Sequence, residues 1–418
     1  MEKIIIRGPC KISGAVNIVG AKNAALPILC ASILSRGTIQ LQNIPQLRDT
    51  ATMLDLLGRL GAGISIHDSG EIKIDPRSIN RYKAEYDLVK TMRASILVLG
   101  PLLARFKRAV VSLPGGCAIG SRPIDLHLKA LQCLGAKIDL HDGYIEAKVI
   151  GRLKGAHISF DNTSVGATEN AIMAASLADG QTIISGAATE PEVVDLANFL
   201  NGMGAKIEGA GTQVIKIDGV DELNGYSHSV IPDRIEAGTF LIAAAMTRGR
   251  IKLTGVNPED LIFVLEKLKE VGADINTGKD WISLDMHGSR PRAISISTGT
   301  FPLFPTDLQA QWLALASVSE GRCTVEENIF ENRFMHLHEL KRMTADLDLR
   351  GNCAHVTGKD ILSAAEVMST DLRASASLVL AALVAAGETI ISRVYHIDRG
   401  YAFIEEKLRS LGVDVERV

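Results

Sequence analysis

Leu134-Gly135-Ala136-Lys137-Ile138-Asp139 is the stretch on which the fold turns: an apolar, helix-like run ends there and alternating β residues begin. A glycine at such a junction supplies the left-handed residue that closes a helix. Apolar and polar residues alternating after it announce a strand. The string returns as Leu60-Gly-Ala-Gly-Ile-Ser65, Met203-Gly-Ala-Lys-Ile-Glu208, Val271-Gly-Ala-Asp-Ile-Asn276 and Leu411-Gly-Val-Asp-Val-Glu416, with a degenerate copy at Met343-Thr-Ala-Asp-Leu-Asp348. Its second positions are 61, 135, 204, 272, 344 and 412, so the copies follow at intervals of 74, 69, 68, 72 and 68 residues. Chance does not space six strings so evenly, whereas an internal repeat does.

A second landmark precedes each copy. It is a helix of small and apolar residues: Ala24–Leu34, Ala94–Ala104, Ala167–Leu177, Ala237–Met246, Ala310–Val318 and Ala374–Ala386. Each leads through a short loop into a β run such as Thr182–Ser185 or Arg250–Thr254. The unit is therefore strand, helix, strand, amphipathic helix, strand, strand. Its first helix is apolar or small on nearly every side, which predicts burial all round. Six units divide into two domains of three. The fold class expected is α/β, with two barrel-like domains each built of three βαβαββ units.

The composition bounds the rest. The chain has 418 residues, 46% of them apolar but only 4% aromatic, with 38 glycines. Its core must be built from Ala, Val, Ile and Leu rather than rings, and an aliphatic-rich chain of this kind is not disordered. Lys and Arg number 45 against 48 Asp and Glu, leaving a net charge of -3. No global attraction to nucleic acid or an anionic membrane follows, so an anionic ligand must be held by a local cluster. The opening MEKIIIRGPC has too short an apolar run for a secretory signal core. The apolar stretch around Leu378–Ala386 falls short of a membrane span. Six cysteines, at 10, 30, 117, 133, 323 and 353, form no CxxC pair and no regular spacing, which argues against a disulfide framework or a zinc ribbon. The expectation is a soluble cytoplasmic protein.

Polar residues gather where the buried helices begin: Lys22-Asn23, Lys90 to Arg93, Ser164, Asp233 to Glu236, Thr306-Asp307 and Asp371 to Arg373. A helix N-terminus carries partial positive charge and free N–H donors, which favours anions. A cation placed there is locally unfavourable, so Lys22, Arg93, Arg234 and Arg373 suggest a bound anion if these starts face one region. For Arg234 and Arg373 the plainer alternative is pairing with Asp233, Glu236 or Asp371.

Ser112-Leu-Pro-Gly-Gly-Cys-Ala-Ile-Gly-Ser-Arg-Pro-Ile-Asp-Leu-His127 reads as an irregular loop, since it holds three glycines and two prolines. Cys117 lies between glycines with Arg122 nearby, an environment that favours a thiolate. The other cysteines, in contexts such as Ile28-Leu-Cys-Ala-Ser32 and Leu131-Gln-Cys-Leu-Gly135, read as buried fillers. No GxxxxGK[ST], GxGxxG or HExxH motif occurs. His336-Leu-His338 lacks further ligands at metal-site spacing, so no metal is expected. A nucleophile elbow for a serine triad is also missing.

The chain resembles the UDP-N-acetylglucosamine enolpyruvyl transferases (1-carboxyvinyltransferases) of the EPSP synthase superfamily. The resemblance rests on Gly20-Ala-Lys-Asn-Ala-Ala-Leu-Pro27, Tyr86-Asp-Leu-Val-Lys-Thr-Met-Arg-Ala-Ser95, Leu113-Pro-Gly-Gly-Cys-Ala-Ile-Gly120 and Arg122-Pro-Ile-Asp-Leu-His127. It continues through Ser164-Val-Gly-Ala-Thr168, Pro232-Asp-Arg-Ile-Glu236, Phe304-Pro-Thr-Asp-Leu-Gln-Ala-Gln311 and Phe330-Glu-Asn-Arg-Phe-Met-His336. Thr370-Asp-Leu-Arg-Ala-Ser375 and His396-Ile-Asp-Arg-Gly-Tyr401 complete it, so essentially the whole chain is covered in order. The resemblance implies two inside-out α/β domains, residues 1–21 with 232–418 and residues 22–231, the second carrying the Cys117 loop.

It also implies transfer of an enolpyruvyl group from phosphoenolpyruvate to the 3-hydroxyl of UDP-N-acetylglucosamine, with release of phosphate and without a cofactor. Lys22, Arg122 and Arg399 match the family's cationic cage, with Arg93 beside them. Asp307 matches the base and Cys117 the proton donor, a thiol that also adds to phosphoenolpyruvate. Asn23, the run Arg122, Pro123, Ile124, Asp125 and Leu126, then Ser164, Val165 and Ile329 match the nucleotide grip; Arg333, Asp371 and Arg373 join the substrate-binding set. Some members carry a lysine where this chain has Asn162-Thr163, so a diphosphate contact there is lost or replaced. The closest rival is the sister transferase acting on shikimate 3-phosphate, from which the Cys117 loop with Arg122-Pro-Ile-Asp-Leu126 separates it. A six-repeat DNA clamp would need a basic stripe that a net charge of -3 does not supply.

Overall fold

The structure, a computed structural model, describes residues 2–90, 92–113 and 124–418. Cys117, Arg122 and Pro123 lie outside the described residues. Two compact units divide the chain. One holds the chain up to Val19 and from Pro232 to Val418, and the other lies between Gly20 and Ile231. Each has its own continuous apolar core.

Six buried helices organise the units: α1 (Lys22–Ala31), α2 (Leu99–Phe106, entered through a 3₁₀ turn over Arg93–Val98), α3 (Val165–Ala175), α4 (Arg234–Met246), α5 (Gln309–Val318) and α6 (Leu372–Leu383). Every residue of α5 is buried, as is α4 from Ile235 onward. In the discontinuous unit α5 packs on both α4 and α6; in the other, α2 packs on α3. Small residues permit this closeness. A Cβ added to Gly100 in α2 would lie 2.3 Å from Asn170 Oδ1 and 2.7 Å from the Asn170 carbonyl oxygen on α3. The last helix is shorter than the sequence suggests: α6 stops at Leu383, and Ala385–Ser392 is a strand.

The outer helices are amphipathic. Ile262–Val271, for example, buries Val264, Leu265, Leu268 and Val271, one stripe at helical spacing. At all six copies of the repeated string the junction residue is left-handed: Gly61, Gly135, Gly204, Gly272 and Gly412 have φ of 107°, 93°, 107°, 115° and 90°, and Thr344 has 68°. A β-branched residue in that region costs roughly 1–2 kcal/mol. Thr344 recovers part of this through long hydrogen bonds to the Ser363 backbone N–H and hydroxyl, both at 3.3 Å. Thr344→Gly is therefore expected to stabilise the unit by about 0.5–1 kcal/mol. Thermal melting would reveal it, and a lowered midpoint would contradict it.

Each buried helix leads into a strand of a small mixed sheet, and six sheets occur among the described residues. The sheet of Gln181–Ser185 shows the pattern. His157–Ser159 pairs parallel to it with His157 opposite Ile183, and Val214–Asp218 pairs antiparallel with Gln181 opposite Asp218. Lys206–Glu208 then adds the outer strand. In the discontinuous unit, two sheets are completed by the chain's beginning. Ser13–Asn17 lies parallel to Arg250–Thr254, and Lys3–Gly8 sits between Ala385–Ser392 and Asp414–Arg417. No helix among the described residues is long and apolar enough to cross a membrane.

Burial corrects one reading of the cysteines. Cys30 and Cys323 are buried, but Cys10 and Cys353 are only half-buried, and Cys133 is exposed because it falls on the solvent side of the outer helix Asp125–Cys133.

Candidate active site

In the discontinuous unit the site is built on the entries to α5 and α6. Asp307 sits in the 3₁₀ turn Thr306–Leu308 that opens α5, its side chain one quarter exposed. Arg333 Nη2 donates to Asp307 Oδ1 at 2.7 Å, and Arg373 Nη2 donates to Oδ2 at 3.0 Å. Both arginines are buried. Two guanidiniums, brought from a loop and from the first turn of α6, thus grip one carboxylate. Burial pulls the Arg373 guanidinium down, but the Asp307 charge, joined by Tyr401 and Asp233, leaves the group above its ordinary value.

A second chain of bonds runs from Arg333 toward Ile329. Arg333 Nη1 donates to Thr306 Oγ1 at 2.9 Å, and the Thr306 hydroxyl faces both oxygens of the buried Glu327 carboxylate at 2.9 and 2.8 Å. Glu327 Oε1 accepts the backbone N–H groups of Ile329 and Phe330 at 2.8 and 3.0 Å. Ile329 itself is exposed. The candidate base and the candidate nucleotide contact are therefore fixed by one buried acid. Neither Thr306 nor Glu327 was marked by the sequence as part of the grip. The acid's position, one residue past a strand and two before Ile329, is the signal it leaves.

The acids near the two helix-start arginines have other duties. Asp371 caps α6, its Oδ1 accepting the N–H groups of Arg373 and Ala374 at 2.9 and 3.1 Å, while the Arg373 guanidinium turns to Asp307 instead. Asp233 caps α4 in the same way, and Glu236 pairs with Lys407 at 2.6 Å. Arg234 lies over the Phe301 ring at 5.4 Å. Arg399 ends the turn Val394–Arg399 half-buried; burial first, then the Arg399 charge, lowers the pKa of His396. His336 is buried whereas His338 is exposed. Burial pushes the His336 imidazole down to about 4, opposed by Asp371 and helped by Arg333.

In the contiguous unit, Lys22 opens α1 and is buried, its Nζ 3.5 Å from Asp49 Oδ2. Asp49 is an acid in the first turn of the outer helix Arg48–Leu60, which the sequence reading did not connect with Lys22. Asn23 is half-buried beside it. Arg93 begins the turn leading to α2, near His127. Burial and then the Arg93 charge bring that imidazole down to about 4. His127 Nδ1 meets Asn170 Nδ2 at 3.1 Å, while Asn170 Oδ1 accepts the Gly100 N–H at 2.8 Å. The amide nitrogen must therefore donate to a neutral ring. Ile124 and Leu126 are half-buried and Asp125 is exposed at the start of their helix. Ser164 caps α3 by accepting the Ala167 N–H at 3.3 Å, Val165 follows half-buried, and Asn162 and Thr163 are exposed before it.

The family described as EPSP synthase (3-phosphoshikimate 1-carboxyvinyltransferase) matches residues 6–408. Relatives named UDP-N-acetylglucosamine 1-carboxyvinyltransferase from two strains of Coxiella burnetii are each 58% identical over 418 residues, which is 100% of this chain and 96% of theirs. Among solved structures, the enolpyruvyl transferase NikO from Streptomyces tendae superimposes with a TM-score of 0.88 at 23% identity, over 100% of this chain and 99% of that one. An EPSP synthase from Acinetobacter baumannii gives 0.78 at 19% identity with the same coverage. These two likenesses speak to the fold alone.

Proposed function

Since the chain belongs to the EPSP synthase family, and within it to the UDP-N-acetylglucosamine 1-carboxyvinyltransferases, we propose that it transfers the enolpyruvyl group of phosphoenolpyruvate to the 3-hydroxyl of UDP-N-acetylglucosamine. The observation that carries this reading is the full-length identity of 58% to relatives of that name. Phosphate is the second product, and the reaction opens peptidoglycan synthesis in the cytoplasm.

The chemistry assigns the residues. The sugar hydroxyl attacks C2 of phosphoenolpyruvate while its proton passes to Asp307, and the Cys117 thiol delivers a proton to the C3 methylene. A tetrahedral intermediate results. Loss of phosphate together with a proton from the new methyl group restores the double bond in the product. Lys22, Arg93, Arg122 and Arg399 offset the phosphate and carboxylate charges, and cations already aimed at developing charge need no reorganisation during reaction. The paired grip of Arg333 and Arg373 supports the role given to Asp307, since it holds the carboxylate at two points and fixes its direction. Asn23, Asp125, Leu126, Ser164, Val165 and Ile329 hold the sugar nucleotide.

The test is a phosphate-release assay with phosphoenolpyruvate and either acceptor. Release is expected with UDP-N-acetylglucosamine and to stay at background with shikimate 3-phosphate. Equal release with both acceptors would sink the assignment.

A further inference from the structure

The hydroxyl of Tyr401 lies 3.3 Å from Arg373 Nη1, 3.1 Å from Gln311 Nε2 and 2.9 Å from Thr239 Oγ1. Those partners come from α6, α5 and α4, so one phenolic oxygen touches all three buried helices of its unit. Tyr401 is 1% exposed and follows the turn that ends at Arg399. The donors and acceptors can be assigned. Thr239 spends its hydrogen on the Ile235 carbonyl at 2.8 Å, so it accepts from the tyrosine. Gln311 Nε2 also faces the backbone carbonyl of Asp307 at 3.1 Å, which only a donor can meet, and this fixes the orientation of the amide. The tyrosine therefore donates once, to Thr239, and accepts from Arg373 and from the second Gln311 hydrogen, which it shares with Thr239 Oγ1, each oxygen 3.1 Å from Nε2. Burial raises its pKa, against the pull of Arg373, and keeps the phenol protonated for that donation.

Both groups that Tyr401 receives lead to the same residue. Arg373 holds the Asp307 carboxylate through its other nitrogen, and Gln311 holds the Asp307 carbonyl. We propose that Tyr401 is a positioning residue for the transfer reaction, aligning the Asp307 carboxylate through Arg373 and Gln311 without touching substrate. The proposal rests on Asp307 being the base. A hydroxyl at the meeting point of three helices has leverage that a surface bond lacks: removing it leaves the buried guanidinium short of an acceptor at Nη1 and leaves the Gln311 amide to Thr239 and the Asp307 carbonyl alone. The aromatic ring alone fills the core, so phenylalanine retains the packing.

The experiment is steady-state kinetics of Tyr401→Phe with phosphoenolpyruvate and UDP-N-acetylglucosamine, alone and combined with Asp307→Asn. The expected result is a kcat lowered roughly ten-fold, with both KM values within about three-fold of the parent. In the Asp307→Asn background the same change is expected to have no further effect, because its route to the chemistry is gone. A kcat for Tyr401→Phe within about two-fold of the parent overturns the proposal. So does an equal fractional loss in both backgrounds, which is what a general loosening of the unit produces. If Tyr401→Phe does not fold, Thr239→Val takes its place: it removes the partner that orients the hydroxyl, and it is read by the same two criteria. Asp307→Asn at the parental rate would instead refute the assignment of the base, a result distinct from a silent Tyr401→Phe beside an inactive Asp307→Asn.

Discussion

Asp307→Asn is expected to lower kcat by about 10²–10⁴-fold, the range a positioned acid or base contributes. The substitution keeps size and one acceptor but removes the proton-accepting charge. It also disturbs the grip, since asparagine can present oxygen to one guanidinium only and turns an amide toward the other. Arg333 and Arg373 are buried at 4% and 3% exposure, so the unpaired charge has little water to turn to. A loss of stability will accompany the loss of rate. The two are separated by measuring kcat per folded molecule well below the melting transition. A variant that retains more than about a tenth of the parental kcat shows that another group takes the hydroxyl proton.

Alkylation of Cys117 by an epoxide such as fosfomycin is expected to stop turnover completely at one adduct per chain. The other thiols supply the internal control. Burial pushes Cys10 and Cys323 up to about 11 and Cys30 well above the usual thiol value, so near neutral pH almost none of these is the reactive thiolate. Cys133 is exposed and Cys353 half-buried, and these two are the competitors to watch. Peptide mapping of the adduct, with Cys133→Ser and Cys353→Ser run in parallel, tells them apart from Cys117. Full activity in protein labelled stoichiometrically at Cys117 would remove the thiol from the mechanism.

Local signals were the legible ones. The string at Leu134 and its copies place six helix ends, because a left-handed junction followed by alternation is written in consecutive residues. Even Thr344 obeys it, with the backbone of a glycine and the side chain of a strand residue. The motifs around Asp307, Arg333 and Arg373 mark all three, but their mutual contact spans 26 and 66 residues and left no local trace. Proximity in sequence misled at Arg373, whose nearest acid, Asp371, is occupied with backbone N–H groups. Asp49, Glu327 and Tyr401 stayed hidden for a related reason. An acid in a helix's first turn, an acid after a strand and a tyrosine after glycine are each ordinary until the fold shows what they meet. Cys133 shows the opposite error: an apolar neighbourhood in sequence became the dry side of a helix for Leu131 and the wet side for the cysteine.

The strand Lys3–Gly8, held between Ala385–Ser392 and Asp414–Arg417, joins stretches more than 370 residues apart in sequence. During synthesis the contiguous unit has its whole sequence once Ile231 has emerged and can fold as a unit while translation continues. The N-terminal strand has no such option. Its apolar isoleucines, Ile4 and Ile6, stay uncovered until its partner strand Ala385–Ser392 has been made. Lys3–Gly8 is therefore a segment open to aggregation or to a chaperone for hundreds of residues of synthesis, and a nascent chain halted before Ala385 holds one finished unit and one that cannot close.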